Sequence, residues 1–167
     1  DAGDPVELAL QYDKEGADEL VFLDITATVE KRATMIHWVK KVAQNVSIPF
    51  TVGGGISSLE DAKAIINAGA DKVAINSAAI KRPGLIKEIA DYFGQQCVVL
   101  AVDTKKVEGK NRVFTHGGRK ATTYETEQWI AEAEKRLAGH EPANGVLLRG
   151  FATDPNLPKY GEVYKLN

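Results

Sequence analysis

Two aspartates are the side chains of this sequence whose surroundings first point to chemistry. Asp24 lies near the end of the apolar segment ELVFLDIT, and Asp103 ends the apolar segment CVVLAVD. A carboxylate next to apolar strand residues costs free energy unless it is hydrated, hydrogen-bonded or functional. Two carboxylates held at rigid strand ends could supply complementary general acid and general base roles. The structural alternative is that each aspartate caps a helix or pins a loop.

A glycine run suggests an anion site. In the segment FTVGGGISS, residues 50–58, three consecutive glycines come directly after a short apolar run. Glycines let backbone N–H groups approach an anion closely, and a helix that starts nearby adds a favourable dipole. Together with Asn76 and Ser77, which follow the apolar segment KVAI, Gly54 and Gly55 predict a phosphate site. The alternative is a tight strand-to-helix turn without a ligand. The segment lacks the lysine of a P-loop.

The elements that must position these residues alternate between strands and helices. Apolar runs at residues 19–26, 50–55, 72–76 and 97–103 predict strands, the first of them buried on both faces. Amphipathic segments predict helices at about 5–16, 29–45, 59–69, 83–93 and 124–137. This alternation is typical of βαβ units and predicts an α/β fold with a parallel sheet. The carboxyl ends of parallel strands meet at one edge, so the candidate residues should lie together.

The alternation is interrupted after Asp103. The pairs Glu108-Gly109 and Gly117-Gly118 are turn signals, so residues 104–123 predict a β-hairpin, with Thr122 or Thr123 capping the next helix. In barrel enzymes the loops at the carboxyl ends of strands carry the chemistry, and this hairpin therefore marks the functional face. A repeated Gly-Ala-Asp, at 16–18 and 69–71, fits either a duplication of βα units or a common helix-to-strand turn.

Composition restricts the class of protein. The formal charge of −2 and pI near 6.0 argue against a nucleic-acid or anionic-membrane partner. A single cysteine, Cys97, excludes a disulfide within the chain and fits a reducing cytoplasm. No apolar stretch approaches the ~18 residues that span a bilayer. His37 and His116 lack the spacing of metal ligands, so no metal site is predicted.

Five segments carry a family resemblance: DAGDPVELALQY, DELVFLDITATVEKR, IPFTVGGGI, GADKVAINSAA and VVLAVDTKKV. They resemble the cyclase subunits of imidazole glycerol phosphate synthase, a (βα)8-barrel family of histidine biosynthesis. The resemblance covers about residues 1–138. It implies a partial TIM barrel that corresponds to about the second to sixth βα units.

The resemblance also implies an activity and a set of site residues. The family closes a five-membered ring with ammonia, which a glutaminase subunit delivers through the barrel. Its substrate carries a phosphate at each end, and no metal or organic cofactor takes part. By position, the resemblance implies catalytic roles for Asp103 and Asp24, phosphate binding at Gly55, Asn76 and Ser77, an ammonia entrance at Glu19 and Lys72, and a glutaminase-facing position at Asp71.

The last part of the chain departs from the family pattern. Residues 143–167 resemble a short segment of archaeal-type cofactor-independent phosphoglycerate mutases, and Asp154 is given no role. We therefore expect a barrel-like unit at 1–142 and an atypical strand plus loop at 143–167. The family's first, seventh and eighth strands have no counterpart in the sequence. The open alternatives are a non-catalytic phosphate-binding or self-associating fragment or chimera, which would pair through open sheet edges, and a related phosphosugar isomerase.

Overall fold

The computed structural model of the chain describes residues 3–24, 29–137 and 147–149. Within them, the helices are α1 (Pro5–Lys14), α2 (Val29–Ala43), α3 (Leu59–Asn67), α4 (Ser77–Lys81), α5 (Gly84–Phe93) and α6 (Thr126–Leu137). The strands are β1 (Leu20–Leu23), β2 (Phe50–Gly53), β3 (Lys72–Ile75), β4 (Val98–Val107), β5 (Lys110–Thr115), β6 (Lys120–Glu125) and β7 (Leu147–Arg149). No helix among the described residues is long and apolar enough to cross a membrane.

Side-chain caps explain where α1 and α3 begin. Asp4 accepts hydrogen bonds from the backbone N–H groups of Val6, at 2.7 Å, and Glu7, and Pro5 occupies the first helical position. Ser58 accepts a hydrogen bond from the backbone N–H of Asp61 at 3.1 Å, which confirms the predicted cap of α3. These caps fix the points at which the chain turns from a loop into a helix.

Five strands form a parallel sheet in the order β1-β2-β3-β4-β7. Helices connect the first four, as in consecutive βα units. This arrangement confirms the predicted α/β class and a partial barrel of parallel strands. Of the predicted segment 143–167, β7 is the part that the structure describes. It pairs with β4, and the predicted division at residue 142 stays a prediction.

The hydrophobic core lies between one face of the sheet and the helices. Val52 and Val73 are partners in register and fully buried, as is Leu85 of α5. Met35, Val39 and Val42 of α2 belong to the same cluster. The opposite sheet face carries Thr51 and Gly53 on β2, and it is the face on which the polar residues discussed below come together.

Two sequence-based expectations about these elements are wrong. β1 is not buried on both faces: Val21 is 59% exposed and Leu23 is 42% exposed, because β1 is the edge strand of the described sheet. Thr122 and Thr123 do not cap a helix, since they lie within β6, and α6 begins at Thr126. The Thr122 hydroxyl instead donates to the backbone carbonyl of Val113, at 2.8 Å, inside the hairpin.

The hairpin after Asp103 is confirmed and is larger than expected. β4 continues to Val107 and pairs antiparallel with β5, which pairs in turn with β6. Glu108 and Gly109 turn the chain with φ of 51° and 80°, as a two-residue turn of a twisted hairpin requires. Thr104 and the fully buried Thr126 share a 2.6 Å hydrogen bond, which fixes the hairpin to the start of α6.

Candidate functional site

The ends of the parallel strands bring the candidate residues to one edge of the sheet. In the parallel register, Leu23 of β1 is the partner of Gly53 of β2, and Gly53 is the partner of Ala74 of β3. The residues that follow these positions therefore emerge on the same side of the fold. Asp24 donates its backbone N–H to the carbonyl of Gly53 at 2.9 Å, which places Asp24 beside the glycine run.

Each glycine of the run is required for a reason that the sequence could not reveal. A Cβ on Gly53 would lie 2.7 Å from Leu23 Cδ2, so the first glycine allows close packing between β1 and β2. Gly54 has φ of +107°, and a Cβ there would lie 2.0 Å from the backbone oxygen of Asp24. Gly55 has φ of 65°, in the left-handed region that favours glycine. The structural alternative of a tight turn therefore accounts for Gly53 and Gly54, and Gly55 remains the residue best suited to face a ligand.

The space between the glycine run and helices α2 and α3 is too small for a phosphate. It has a volume of about 10 Å³ and is lined by residues of the run, including Gly54 and Gly55, and of α2 and α3, including Met35 and Ile65. This volume is enough for about one water molecule. A phosphate at the glycine run would therefore have to approach from the open edge of the sheet and not from the helix side.

Asp103 does not end its strand, contrary to the expectation. β4 runs on to Val107, and Asp103 lies where the pairing of β4 changes. The parallel pairing of β4 with β3 ends at Leu100, opposite Ile75. Asp103 has Arg149 of β7 as its parallel partner on one side and Phe114 of β5 as its antiparallel partner on the other. The carboxylate is thus held by a continuous strand with hydrogen-bonded neighbours, which restricts its position more than a loop would.

Asn76 joins the predicted phosphate site to the predicted catalytic aspartate. Its Nδ2 donates to Oδ2 of Asp103 at 2.9 Å. Its Oδ1 is inaccessible to solvent and has no hydrogen-bond donor among the described residues. An unsatisfied buried amide oxygen costs about 1–3 kcal/mol, so this arrangement suits a site in which a further donor completes the network. Asn76 follows the end of β3, as predicted, but its contact with Asp103 is not visible in the sequence.

Ser77 contacts the hairpin. Its Oγ accepts a hydrogen bond from the backbone N–H of His116 at 3.1 Å. The hydroxyl hydrogen of Ser77 remains able to donate to an anion. His116 has φ of 55°, unusual for a residue with a side chain, and is followed by Gly117 and Gly118, which also have positive φ. The glycine pair predicts the turn, but its contact with Ser77 at the predicted phosphate site has no signal in the sequence.

A second polar cluster lies at the opposite end of the strands. Glu19 accepts hydrogen bonds from Thr51 Oγ1 at 2.7 Å and from Lys72 Nζ at 2.9 and 3.0 Å. The hydrogen bonds from Lys72 and Thr51 hold the pKa of Glu19 below its usual value of 4.5. Both ionic side chains are partly exposed, at 37% for Glu19 and 33% for Lys72. The structure therefore brings the two residues predicted at the ammonia entrance into direct contact.

Asp71 belongs to the same end of the sheet. Its carboxylate Oδ2 accepts the backbone N–H of Phe50 at 2.9 Å, and its own N–H donates to the Phe50 carbonyl at 3.1 Å. These paired bonds fix the start of β2 against the start of β3. The carboxylate thus has a structural use, and the partner-facing position that the resemblance implies stays a prediction.

Parallel strands joined by helices, with polar groups gathered at the carboxyl edge, define the class as part of a (βα)8 barrel. A family model described as "Histidine biosynthesis protein" matches residues 1–166. The chain belongs to this family.

Curated relatives give the same result at closer range. The chain is similar to proteins named "Imidazole glycerol phosphate synthase subunit HisF". It is 58% identical over 139 residues to the protein of Cytophaga hutchinsonii and 61% identical over 141 residues to that of Halalkalibacterium halodurans. It is 59% identical over 141 residues to that of Bacillus subtilis. These matches cover 83% of the chain and 55–56% of each relative, so the chain spans about half the length of the curated relatives it matches.

Proposed function

We propose that this chain carries part of the catalytic face of an imidazole glycerol phosphate synthase cyclase. The reaction is the ammonia-dependent ring closure and lyase step on a bisphosphorylated intermediate of histidine biosynthesis. The observation that carries the proposal is the hydrogen bond from Asn76 to Asp103, which links an anion-binding edge to a rigidly held carboxylate. The identity of 58–61% to proteins of that name favours this activity over the related phosphosugar isomerase.

Each residue of the edge has a proposed role. Asp103 acts as general acid or base, since a carboxylate fixed on a strand can move a proton to or from the reacting nitrogen and carbon atoms. Asp24, next to the glycine run, supplies a second carboxylate at the same edge. Gly55, Asn76 and Ser77 bind one phosphate of the substrate through backbone N–H groups and short polar side chains.

The opposite end of the sheet has a proposed role in ammonia supply. Glu19 and Lys72 form an ion pair on the inner face of the sheet, the face that carries Thr51 and Gly53. An ion pair at that position can control which small molecules enter the barrel. Asp71 lies at the same end and would face a glutaminase subunit. We propose that the ammonia enters here and reaches Asp103 along the inner face, in the cytoplasm and without a metal or organic cofactor.

A hybrid protein tests the proposed activity. Residues 1–138 of this chain would replace the matching segment of the Bacillus subtilis relative, and consumption of the bisphosphorylated substrate would be followed with ammonium salts as the nitrogen source. We expect turnover within about tenfold of the parent, because most positions of the segment are identical. A folded hybrid without turnover would contradict the proposal. The unmodified chain, assayed in parallel, would show how much activity this segment retains by itself.

A second candidate function is self-association, and the exposed face of β1 supports it. Val21 and Leu23 are 59% and 42% exposed on the edge strand of the described sheet. Open strand edges with apolar side chains pair readily with another chain. We propose that two copies of this chain associate through β1. Sedimentation of the chain and of Leu23→Lys tests this: a dimer that the substitution dissociates supports the proposal, and a wild-type monomer over the accessible concentration range contradicts it.

A further inference from the structure

The hairpin places a lysine on the same strand face as Asp103. Side chains alternate along a strand, so Lys105, two residues beyond Asp103 on β4, shares its face at a distance of about 7 Å along the strand. The cross-strand partners are Phe114 opposite Asp103 and Arg112 opposite Lys105. The sequence did not predict a basic site residue on this part of β4.

The ammonium of Lys105 is directed back towards the site. Its Nζ lies 5.0 Å from the ring centroid of Phe114, the residue paired with Asp103. The same Nζ donates to the backbone oxygen of Gly118 at 2.5 Å. Both contacts draw the side chain from its own position on β4 towards the Asp103 row and the hairpin tip.

The hairpin tip connects this lysine to the predicted phosphate site. The tip, residues 115–119, contacts Ser77 through the His116 N–H at one point and Lys105 through the Gly118 carbonyl at another. Lys105 and Ser77 therefore contact backbone groups of the same short turn, at positions two residues apart. An anion bound at Ser77 would lie near the ammonium.

The charge of Lys105 is not neutralised by a carboxylate in the described part of the chain. Its partners there are a carbonyl oxygen and an aromatic face, which leave two ammonium hydrogens for another acceptor. By contrast, Lys110 of the same hairpin forms an ion pair with Glu125. Residues 104–120 contain six lysines and arginines and one glutamate, although the whole chain has a net charge of −2. The hairpin is therefore locally basic, and Lys105 is a basic residue that the strand register places on the Asp103 face.

We propose that Lys105 is a phosphate-binding residue of this face. The Phe114 ring and the Gly118 carbonyl hold its ammonium in position, and it contacts the phosphate bound at Gly55 and Ser77. This inference rests on the proposed function, because it adds a cation to the phosphate site named there. It also gives the hairpin a task, namely to carry a positive charge to the substrate.

Titration of the chain with inorganic phosphate tests the proposal, with binding followed by calorimetry at low ionic strength. We expect Lys105→Gln to weaken phosphate binding about threefold to tenfold, as for the loss of one charge-assisted contact. Lys105→Arg should bind phosphate nearly as well as the wild type, because it keeps the charge and the aromatic contact. The matched control is Lys106→Gln, since Lys106 is a neighbouring exposed lysine on the alternate side of β4 and should leave the affinity unchanged.

The outcomes separate this inference from the proposed function. Loss of binding in Gly55→Val together with unchanged binding in Lys105→Gln would overturn the role of Lys105 and leave the phosphate site intact. Equal weakening in Lys105→Gln and Lys105→Arg would also overturn it, because hairpin shape and not charge would then be responsible. A wild-type chain that binds no phosphate would overturn both the phosphate site and the role of Lys105.

Discussion

The two ends of the parallel sheet use polar side chains differently. At the amino end, Glu19 is fully engaged with Thr51 and Lys72, and the Asp71 carboxylate is bonded to the backbone of β2. At the carboxyl end, Asn76 keeps a buried oxygen that has no donor among the described residues. At the amino end these carboxylates have hydrogen-bond donors within the fold, whereas at the carboxyl end the Asn76 oxygen has none among the described residues. The difference supports the proposal that the substrate binds at the carboxyl end.

The largest expected effect tests whether Asp103 is chemical or structural. In the hybrid barrel, Asp103→Asn keeps the shape of the side chain but removes its charge and its capacity to accept a proton. We expect turnover to fall by ~10²–10⁴ while the melting temperature barely changes. Asp13→Asn serves as the control, because Asp13 binds Ser47 far from the site and should affect stability rather than turnover. Retained turnover with a lowered melting temperature would identify Asp103 as structural.

Gly54→Ala tests the structural explanation of the glycine run. The added Cβ would lie 2.0 Å from the Asp24 oxygen, and φ of +107° is unfavourable for alanine. We expect a loss of about 3–5 kcal/mol in the free energy of unfolding, measured with urea. Gly109→Ala is the matched control, since Gly109 also has positive φ but open space around it. It should cost only about 1–2 kcal/mol. Equal losses would show that backbone conformation, and not contact with Asp24, makes glycine necessary.

Asn76→Ala tests the link between phosphate and carboxylate. It removes the donor to Asp103 and also the unsatisfied oxygen, so the two effects on stability oppose each other. We expect a change in unfolding free energy of less than about 1 kcal/mol but a fall of about tenfold or more in turnover of the hybrid. Asn45→Ala is a suitable comparison, because Asn45 bonds only the backbone near its own helix end. Unchanged turnover would exclude a positioning role for Asn76.

Glu19→Gln gives the smallest effect and tests the satisfied end. Folding lowers the pKa of Glu19, so its ionised form stabilises the fold above its usual pKa of 4.5, and this stabilisation is lost as the pH falls through the lower folded pKa. The pair is partly exposed, and we expect a loss of about 0.5–1 kcal/mol at neutral pH. The difference between variant and wild type should disappear in acid. Glu60→Gln, at a more exposed ion pair, should show a smaller effect, and a difference that persists in acid would contradict the linkage.

The sequence by itself determined the parallel α/β class, because uninterrupted apolar runs alternate with amphipathic segments. It also determined that the polar residues following the strands meet at the carboxyl end of the sheet, since parallel strands align their ends whatever the details of packing. Those predictions needed only periodicity and the direction of the chain. The family resemblance added residue roles, which the hybrid experiments now test.

Only the tertiary structure decided the contacts that distinguish the residues. The 2.9 Å bond between Asn76 and Asp103 joins positions 27 residues apart, and the contact of Ser77 with His116 joins positions 39 residues apart. The exposure of Leu23, the requirement for Gly54 beside Asp24 and the direction of the Lys105 ammonium likewise depend on neighbours that are distant in sequence. Local patterns report how a segment meets the core, but they carry no information about which side chain from another strand lies opposite. That information comes from strand register, and register is fixed when the whole sheet packs.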